Sequence, residues 1–336
     1  MPREPVPDVV INGRFLARRL TGVERYGREI LGYFENRVRL ESTRRQGFRG
    51  HAWEQFILPA KLSPKSVLWS PANTGPLVVR NQALTIHDLS PLEHPEWFRA
   101  GFAAWYRLFL PILAKRVKKI FTPSAYISQK VMQRFRIRNV TVTPNGVDRS
   151  IFHPGARQTK FDFPEEYALF VGSLEPRKNL PALLRAWNNI RDHVGERWLA
   201  IVGSNGTVFR TLALPEQMEN VRFLGYVDDA TLAGLYAGAA AFILPSTDEG
   251  FGLPALEAMA SGAPVIVSDG GALPEVVGEA GLIFCLSNPD ELEDALMECL
   301  NNPGLRCELK EKGLRRAAEF SWQTTAEIVW KNLNEL

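Results

Sequence analysis

The C-terminal half of the chain is written as short, almost wholly apolar runs separated by longer amphipathic ones. The apolar runs are Tyr167–Val171, Trp198–Val202, Val221–Leu224, Ala241–Leu244, Pro264–Ser268 and Gly281–Phe284. A strand with one wet face alternates polar and apolar residues, so near-continuous runs of this length read as strands covered on both faces. Between them, apolar positions at helical spacing predict helices over Leu180–Val194, Thr231–Ala237, Pro254–Met259, Ala272–Val277 and Pro289–Leu300. Such alternation builds a parallel sheet with helices on both sides, a doubly wound α/β domain.

The N-terminal half repeats the theme. Strands are expected at Val9–Ile11, Gln55–Leu58, Val67–Trp69, Leu84–Ile86, Lys119–Thr122 and Val140–Thr143. Helices are expected over Gly22–Phe34, Ala125–Phe135 and Trp97–Val117, the last with a break or kink near Pro111, because proline removes a helical donor. The reading is therefore two Rossmann-like domains in tandem, residues 1–156 and 157–320, joined through the turn-rich stretch Asn145–Pro164. A terminal amphipathic helix, 321–336, starts behind Ser321 as a candidate N-cap and has the option of packing back on the first domain. With 336 residues, 45% of them hydrophobic, the chain has material for two cores.

Charge divides along the same line. Residues 1–156 carry 25 Lys/Arg against 11 Asp/Glu, whereas 157–336 carry 15 against 26. A basic half points to an anionic partner, either phosphorylated small molecules or phosphate-bearing lipid. No zinc-finger spacing, basic zipper or RNP-like aromatic motif accompanies it, so nucleic acid is not expected. Arg99, Arg107, Lys115, Arg116, Lys118 and Lys119 dominate the polar face of the aromatic stretch Trp97–Phe121, which reads as helix covering the first sheet, with peripheral contact to anionic membrane lipid as a second expectation. No apolar run reaches the roughly 20 residues of a membrane span, and MPREPVPD has no signal-peptide core, so a cytoplasmic protein is expected. Cys285, Cys299 and Cys307 lack metal or redox spacing and read as reduced.

Two segments carry chemistry. In Asp248–Gly262, Glu249 and Glu257 stand eight apart around Gly250, Phe251, Gly252 and Leu253, and Pro254 opens a helix. Bare N–H groups at that helix start, reached through glycines, suit phosphate or sugar oxygens, and the two carboxylates suit hydroxyl-rich ligands. The other is the first βα turn of the second domain, Gly172-Ser173-Leu174-Glu175-Pro176-Arg177-Lys178-Asn179, whose adjacent cations match a diphosphate. A rival reading takes Gly250-x-Gly252-x-x-Ala255 as a dinucleotide fingerprint with Asp269 on the ribose, making an NAD(P)-dependent oxidoreductase. A third is a non-catalytic nucleotide-sugar-binding subunit.

Taken together, the Glu249/Glu257 pair, the G-S-L-E-P-R-K-N turn, P-N-G-V-D at Pro144–Asp148, I-H-D at Ile86–Asp88 and T-G-V-E-R-Y at Thr21–Tyr26 resemble the retaining GT-B glycosyltransferases of family 4, in the family's order and over nearly the whole chain. The phrases NGRFLARRLTGVERY and LWSPANTGPL look like its bacterial polysaccharide-building branch. The resemblance implies two Rossmann-like domains facing across a cleft and transfer of a hexose from a nucleotide-diphosphate sugar, UDP-glucose or GDP-mannose first, to a glycan or polyprenyl-linked oligosaccharide. It also implies Arg177 and Lys178 on the diphosphate, Glu257 on the ribose, and Glu249 with the Phe251, Gly252 and Leu253 amides on the sugar. His87 would reach the sugar's C6 hydroxyl, Gly22 would open a helix toward the phosphates, and Tyr226 and Val227 would edge the base. Acceptor loops are expected at Arg37–Gly50 and Ser70–Leu77. No D-x-D occurs in the sequence, so neither metal nor cofactor is expected.

Overall fold

The computed structural model describes residues 8–336 apart from 19, 35–36, 157–165, 205–208 and 210–217. It divides into two compact units: one runs to Glu93 and adds Gly101–Gly146 and Ser321–Leu336, and the other comprises His94–Ala100 and Val147–Phe320.

The first unit holds β1 (Val9–Asn12), β2 (Arg39–Glu41), β3 (Val67–Ser70), β4 (Gln82–Thr85), β5 (Lys119–Thr122) and β6 (Val140–Val142) in one parallel sheet, ordered β2-β1-β3-β4-β5-β6. The second holds β7 (Tyr167–Val171), β8 (Trp198–Val202), β9 (Val221–Gly225), β10 (Ala241–Leu244), β11 (Val265–Ser268) and β12 (Gly281–Phe284), also parallel, ordered β12-β11-β10-β7-β8-β9. Every residue of β1, β3, β7, β10 and β11 is buried, as their unbroken apolar runs require. One core of the second unit closes where Leu183 and Trp187 of the helix Leu180–Ile190 meet Phe170, Ile243 and Leu296.

Several expectations are corrected. Gln55–Leu58 is not a strand: Gly47–Ala60 is helical throughout, with a π turn at Trp53–Ile57. Trp53, Glu54 and Leu58 turn inward while Phe56 and Ile57 face out, a helical division that four consecutive residues do not reveal. The sheet edge is formed instead by the short, half-polar β2. The helix Ala100–Arg116 runs unbroken through Pro111, the helix from Leu180 ends at Ile190 in a tightened turn, and a further helix, Pro303–Ala317, had no counterpart in the sequence reading. Residues 157–164 of the expected linker lie outside the described residues, and its beginning is turns that end in the short helix Pro154–Ala156. Among the described residues no helix is long and apolar enough to cross a membrane.

The terminal helix Trp322–Asn334 packs on the first unit. Trp322 meets Tyr26 edge-on at 6.1 Å, Trp330 meets Phe34 at 5.2 Å, and the Thr325 hydroxyl donates to the Pro144 carbonyl. Ser321 holds the N-cap position without a side-chain capping bond. Trp322 is 3% exposed, so Trp322→Ala should cost about 3–5 kcal/mol in urea unfolding of the first unit. An unchanged midpoint would show that this helix does not hold the unit together.

Candidate functional site

In the second sheet β7 lies between β8 and β10, and the chain works outward from it on both sides. Counted within the unit this is the order 3-2-1-4-5-6 read in reverse, so loops leaving the carboxyl ends of β7 and β10 diverge and leave a crevice, the place where open α/β sheets bind ligands. The loop after β7 is the turn from Gly172 and Ser173 to Arg177 and Lys178, and the loop after β10 carries Glu249. The two are tied by backbone, since Thr247 N–H donates to the Arg177 carbonyl at 2.7 Å.

They are also tied by charge. Lys178 Nζ donates to Glu249 Oε1, Arg177 reaches Glu249 Oε2 at 3.3 Å, and the Ser246 hydroxyl donates to Oε1 at 2.9 Å. Burial alone would raise the Glu249 carboxyl, but attraction to Lys178 and Arg177, with hydrogen bonds from Lys178 and Ser246, holds it below its ordinary value. Glu175 accepts from Arg177 Nε, yet full burial pushes its carboxyl up, and Arg177 and Lys178 offset this only in part. Cations beginning a helix oppose its dipole. Here the carboxyl groups of Glu249 and Glu175 lie against those cations.

Glu249 leads into the glycine loop. Gly252 caps the helix Leu253–Ala260 at φ 98, a left-handed conformation that suits glycine, and Pro254 occupies the first turn. In the first turn of that helix Pro254 has no N–H, and the Ala255 and Leu256 N–H groups donate to the Gly252 carbonyl at 2.9 and 3.2 Å. Glu257, buried in the same helix, accepts from the Tyr236 hydroxyl at 3.2 Å. From the turn after β11, Ala272 N–H donates to the Glu249 carbonyl at 2.9 Å, and Gly271, at φ +68, passes so near that a Cβ there would lie 2.4 Å from Glu249 backbone atoms. Tyr226 and Val227 follow the edge strand β9, outside this bonded cluster; Tyr226 is exposed. Asp269, the acid of the rival dinucleotide reading, accepts from Leu286 N–H at 3.0 Å within the turn after β11.

His87 and Gly22 belong to the first unit. Gly22 begins the helix Gly22–Phe34 as expected. Buried His87 donates from Nε2 to the Pro71 carbonyl at 2.7 Å, packs edge-on to Tyr26 at 4.9 Å, and takes Asn73 Oδ1 on its own N–H at 2.7 Å. Burial lowers its ring pKa, so the neutral imidazole is favoured.

Sequence reasoning missed Ser246, Tyr236, Gly271 and Glu175. Tyr236 and Gly271 act from a neighbouring helix and a neighbouring strand's loop, so the sequence signals their role only when strand order is known, whereas Ser246 acts within Glu249's own loop. It also missed a cluster beside the carboxyl ends of β1 and β3. There Glu54 accepts from Arg14 at 2.9 Å, from Asn12 at 2.7 Å and from Thr74 at 3.0 Å, while Arg14 faces His51 at 2.9 Å. One signal existed: Glu54 is the only acid between Glu41 and Asp88.

The Glu249 carboxyl sits below its ordinary value of 4.5, so its contribution to stability is complete above that value and fades as pH falls through its lowered folded value. Glu249→Gln should therefore destabilise the second unit by roughly 3 kcal/mol near pH 7, with the gap to the unchanged protein closing in acid below 4.5. Urea titrations across that range read the gap directly, and a gap independent of pH contradicts the ion pairing.

Comparison with known proteins bears on the family and the fold. Glycosyl transferases group 1 matches residues 156–316, and Glycosyltransferase Family 4 matches residues 68–151. The O-antigen chain mannosyltransferase B of Escherichia coli is 32% identical over 252 residues, covering 71% of this chain and 66% of that protein. A serotype-specific mannosyltransferase, WbdA, of Escherichia coli is 30% identical over 271 residues, 74% of this chain and 33% of its own length. The matches thus span just under two thirds and one third of these relatives. The fold of sucrose-phosphate synthase from Thermosynechococcus elongatus superposes with a TM-score of 0.76 over 98% of each chain at 18% identity. Two parallel sheets of this order, with a cationic turn meeting the first glutamate of a Glu-x7-Glu pair, accompany these matches, and the chain belongs to the family 4 glycosyltransferases of GT-B fold.

Proposed function

We propose that the protein is a retaining, metal-independent hexosyltransferase of bacterial surface-polysaccharide synthesis, taking mannose from GDP-mannose before glucose from UDP-glucose and passing it to a glycan or polyprenyl-linked oligosaccharide. The observation that carries the reading is the contact of Lys178 and Arg177 with Glu249 at the switch point. Mannosyltransferases among the relatives favour mannose.

In this reading the donor diphosphate replaces Glu249 as counter-ion of Lys178 and Arg177. Glu249, released, accepts from the sugar hydroxyls beside the amides of Phe251, Gly252 and Leu253. Glu257, steadied by Tyr236, takes the ribose, while Gly172 and Ser173 leave room at the turn. The bond from sugar C1 to the phosphate oxygen then breaks, the acceptor hydroxyl oxygen bonds C1 on the same face, and its proton passes to the departing phosphate. Arg177 and Lys178 stabilise the charge that develops there, the task a metal ion performs in other transferases. For His87, Gly22, Tyr226 and Val227 the family pattern alone carries the assignment.

A thermal-shift screen across nucleoside diphosphates and their sugars identifies the donor, because a ligand at 100 times its dissociation constant adds about 2.7 kcal/mol. With that donor, Lys178→Ala should lower transfer by roughly a hundredfold or more while the protein stays folded, and EDTA should leave transfer unchanged. Near-normal turnover of Lys178→Ala, or activity lost to EDTA and restored by a divalent ion, contradicts the mechanism.

A further inference from the structure

Glu175 is the one acid of the turn Gly172–Asn179, and the transfer proposed above gives it no task. It stands at the N-cap position of the short helical turn Pro176–Lys178, yet its side chain makes no capping bond. The shape of the turn does not need that side chain either, because main-chain bonds close it. Leu174 N–H donates to the Ser204 carbonyl at 3.1 Å, Glu175 N–H to the Ser173 carbonyl at 2.9 Å, and Lys178 N–H to the Glu175 carbonyl at 3.1 Å. The Glu175 carboxyl is instead fully buried and accepts from Arg177 Nε, while its Oε2 has no hydrogen-bond partner among the described residues. A buried carboxyl satisfied on one side only costs stability, so the bond that it does make identifies the group it serves.

A guanidinium is a rigid planar fork, so holding one edge sets the direction of the others. Glu175 holds the Nε edge of Arg177, and Glu249 lies 3.3 Å from Nη1. With Nε held, the plane cannot turn about its last bond without breaking that contact. The main chain fixes both stems. The Arg177 carbonyl accepts from Thr247 N–H at 2.7 Å, and Pro176 restricts Glu175 to extended backbone, at φ -130 and ψ 155. The two carboxyls therefore differ in kind. Glu249 comes from another strand's loop and can give way to a diphosphate, whereas Glu175 belongs to the turn that carries the arginine and stays with it.

We propose that Glu175 is a positioning residue of the transfer: it keeps Arg177 Nε when the diphosphate takes the place of Glu249, and so aims the terminal nitrogens of the guanidinium at the departing phosphate. The proposal rests on the transferase reading. A misdirected Arg177 still attracts the bound diphosphate by its charge, so the loss falls on kcat, where charge develops on the leaving phosphate, more than on the donor KM. The test measures transfer from the donor that stabilises the protein most. Glu175→Asp keeps the charge but is one methylene too short, and it should lower kcat roughly tenfold with the donor KM within about threefold. Glu175→Gln gives up the charge but keeps an oxygen for Nε, and it should hold kcat within about threefold. In an Arg177→Ala background Glu175→Asp should cost nothing further, since the side chain it aims is gone, whereas damage to the fold would persist there. Urea unfolding establishes that each variant is folded. The proposal is overturned if Glu175→Gln loses as much as Glu175→Asp, if Glu175→Asp turns over like the unchanged protein, or if its loss is undiminished in the Arg177→Ala background. An unchanged protein that transfers no sugar from any donor overturns the transferase reading and this proposal with it, an outcome distinct from the other three.

Discussion

The second unit is organised around one buried carboxylate, Glu249, held between two cations from another strand's loop. Taking a carboxylate and an ammonium out of water costs several kcal/mol each, so such a group persists only where its partners are fixed. Each neighbour of Glu249 contributes to fixing it: Ser246 from its own loop, Lys178 and Arg177 from the turn after β7, and Ala272 through the backbone from beyond β11. Strand order makes this possible, because the pairing of β10 with β7 sets their two loops side by side at the carboxyl end of the sheet.

The same arrangement gives the proposed chemistry its economy. Glu249 and Glu175 lie against Arg177 and Lys178, so the cations are partnered without a ligand at the place where the proposed diphosphate would meet them. In the proposed function a diphosphate takes the place of one of these anions, and the displaced carboxylate serves as the sugar's acceptor. The first unit follows a different plan. Its Arg14–Glu54 pair braces the ends of β1 and β3, and its outward faces are cationic and apolar.

The two α/β sheets were legible because doubly covered parallel strands are written as apolar runs; among the described residues every strand but Arg39–Glu41 overlaps a run expected from the sequence, Gln82–Thr85 by its second half alone. The exceptions show the limit. The edge strand Arg39–Glu41 is too short and polar to stand out, and Gln55–Leu58 has strand composition inside a helix whose inward residues, Trp53 and Leu58, lie beyond or at the end of the run. At the site, residue types were legible and pairings were not. Lys178 and Glu249 each stood out by local chemistry, but 71 positions separate them, and their contact follows from sheet order rather than from either motif. Tyr236 was hidden for the same reason, since its hydroxyl serves Glu257 from a separate helix.

The most direct test is a crystal structure of the protein with the nucleoside diphosphate that stabilises it most. The account predicts phosphate oxygens within hydrogen-bond distance of Lys178 Nζ and the Arg177 guanidinium, with the Glu249 carboxylate no longer bonded to Lys178. A nucleotide bound elsewhere, with the Lys178–Glu249 pair intact, would contradict it.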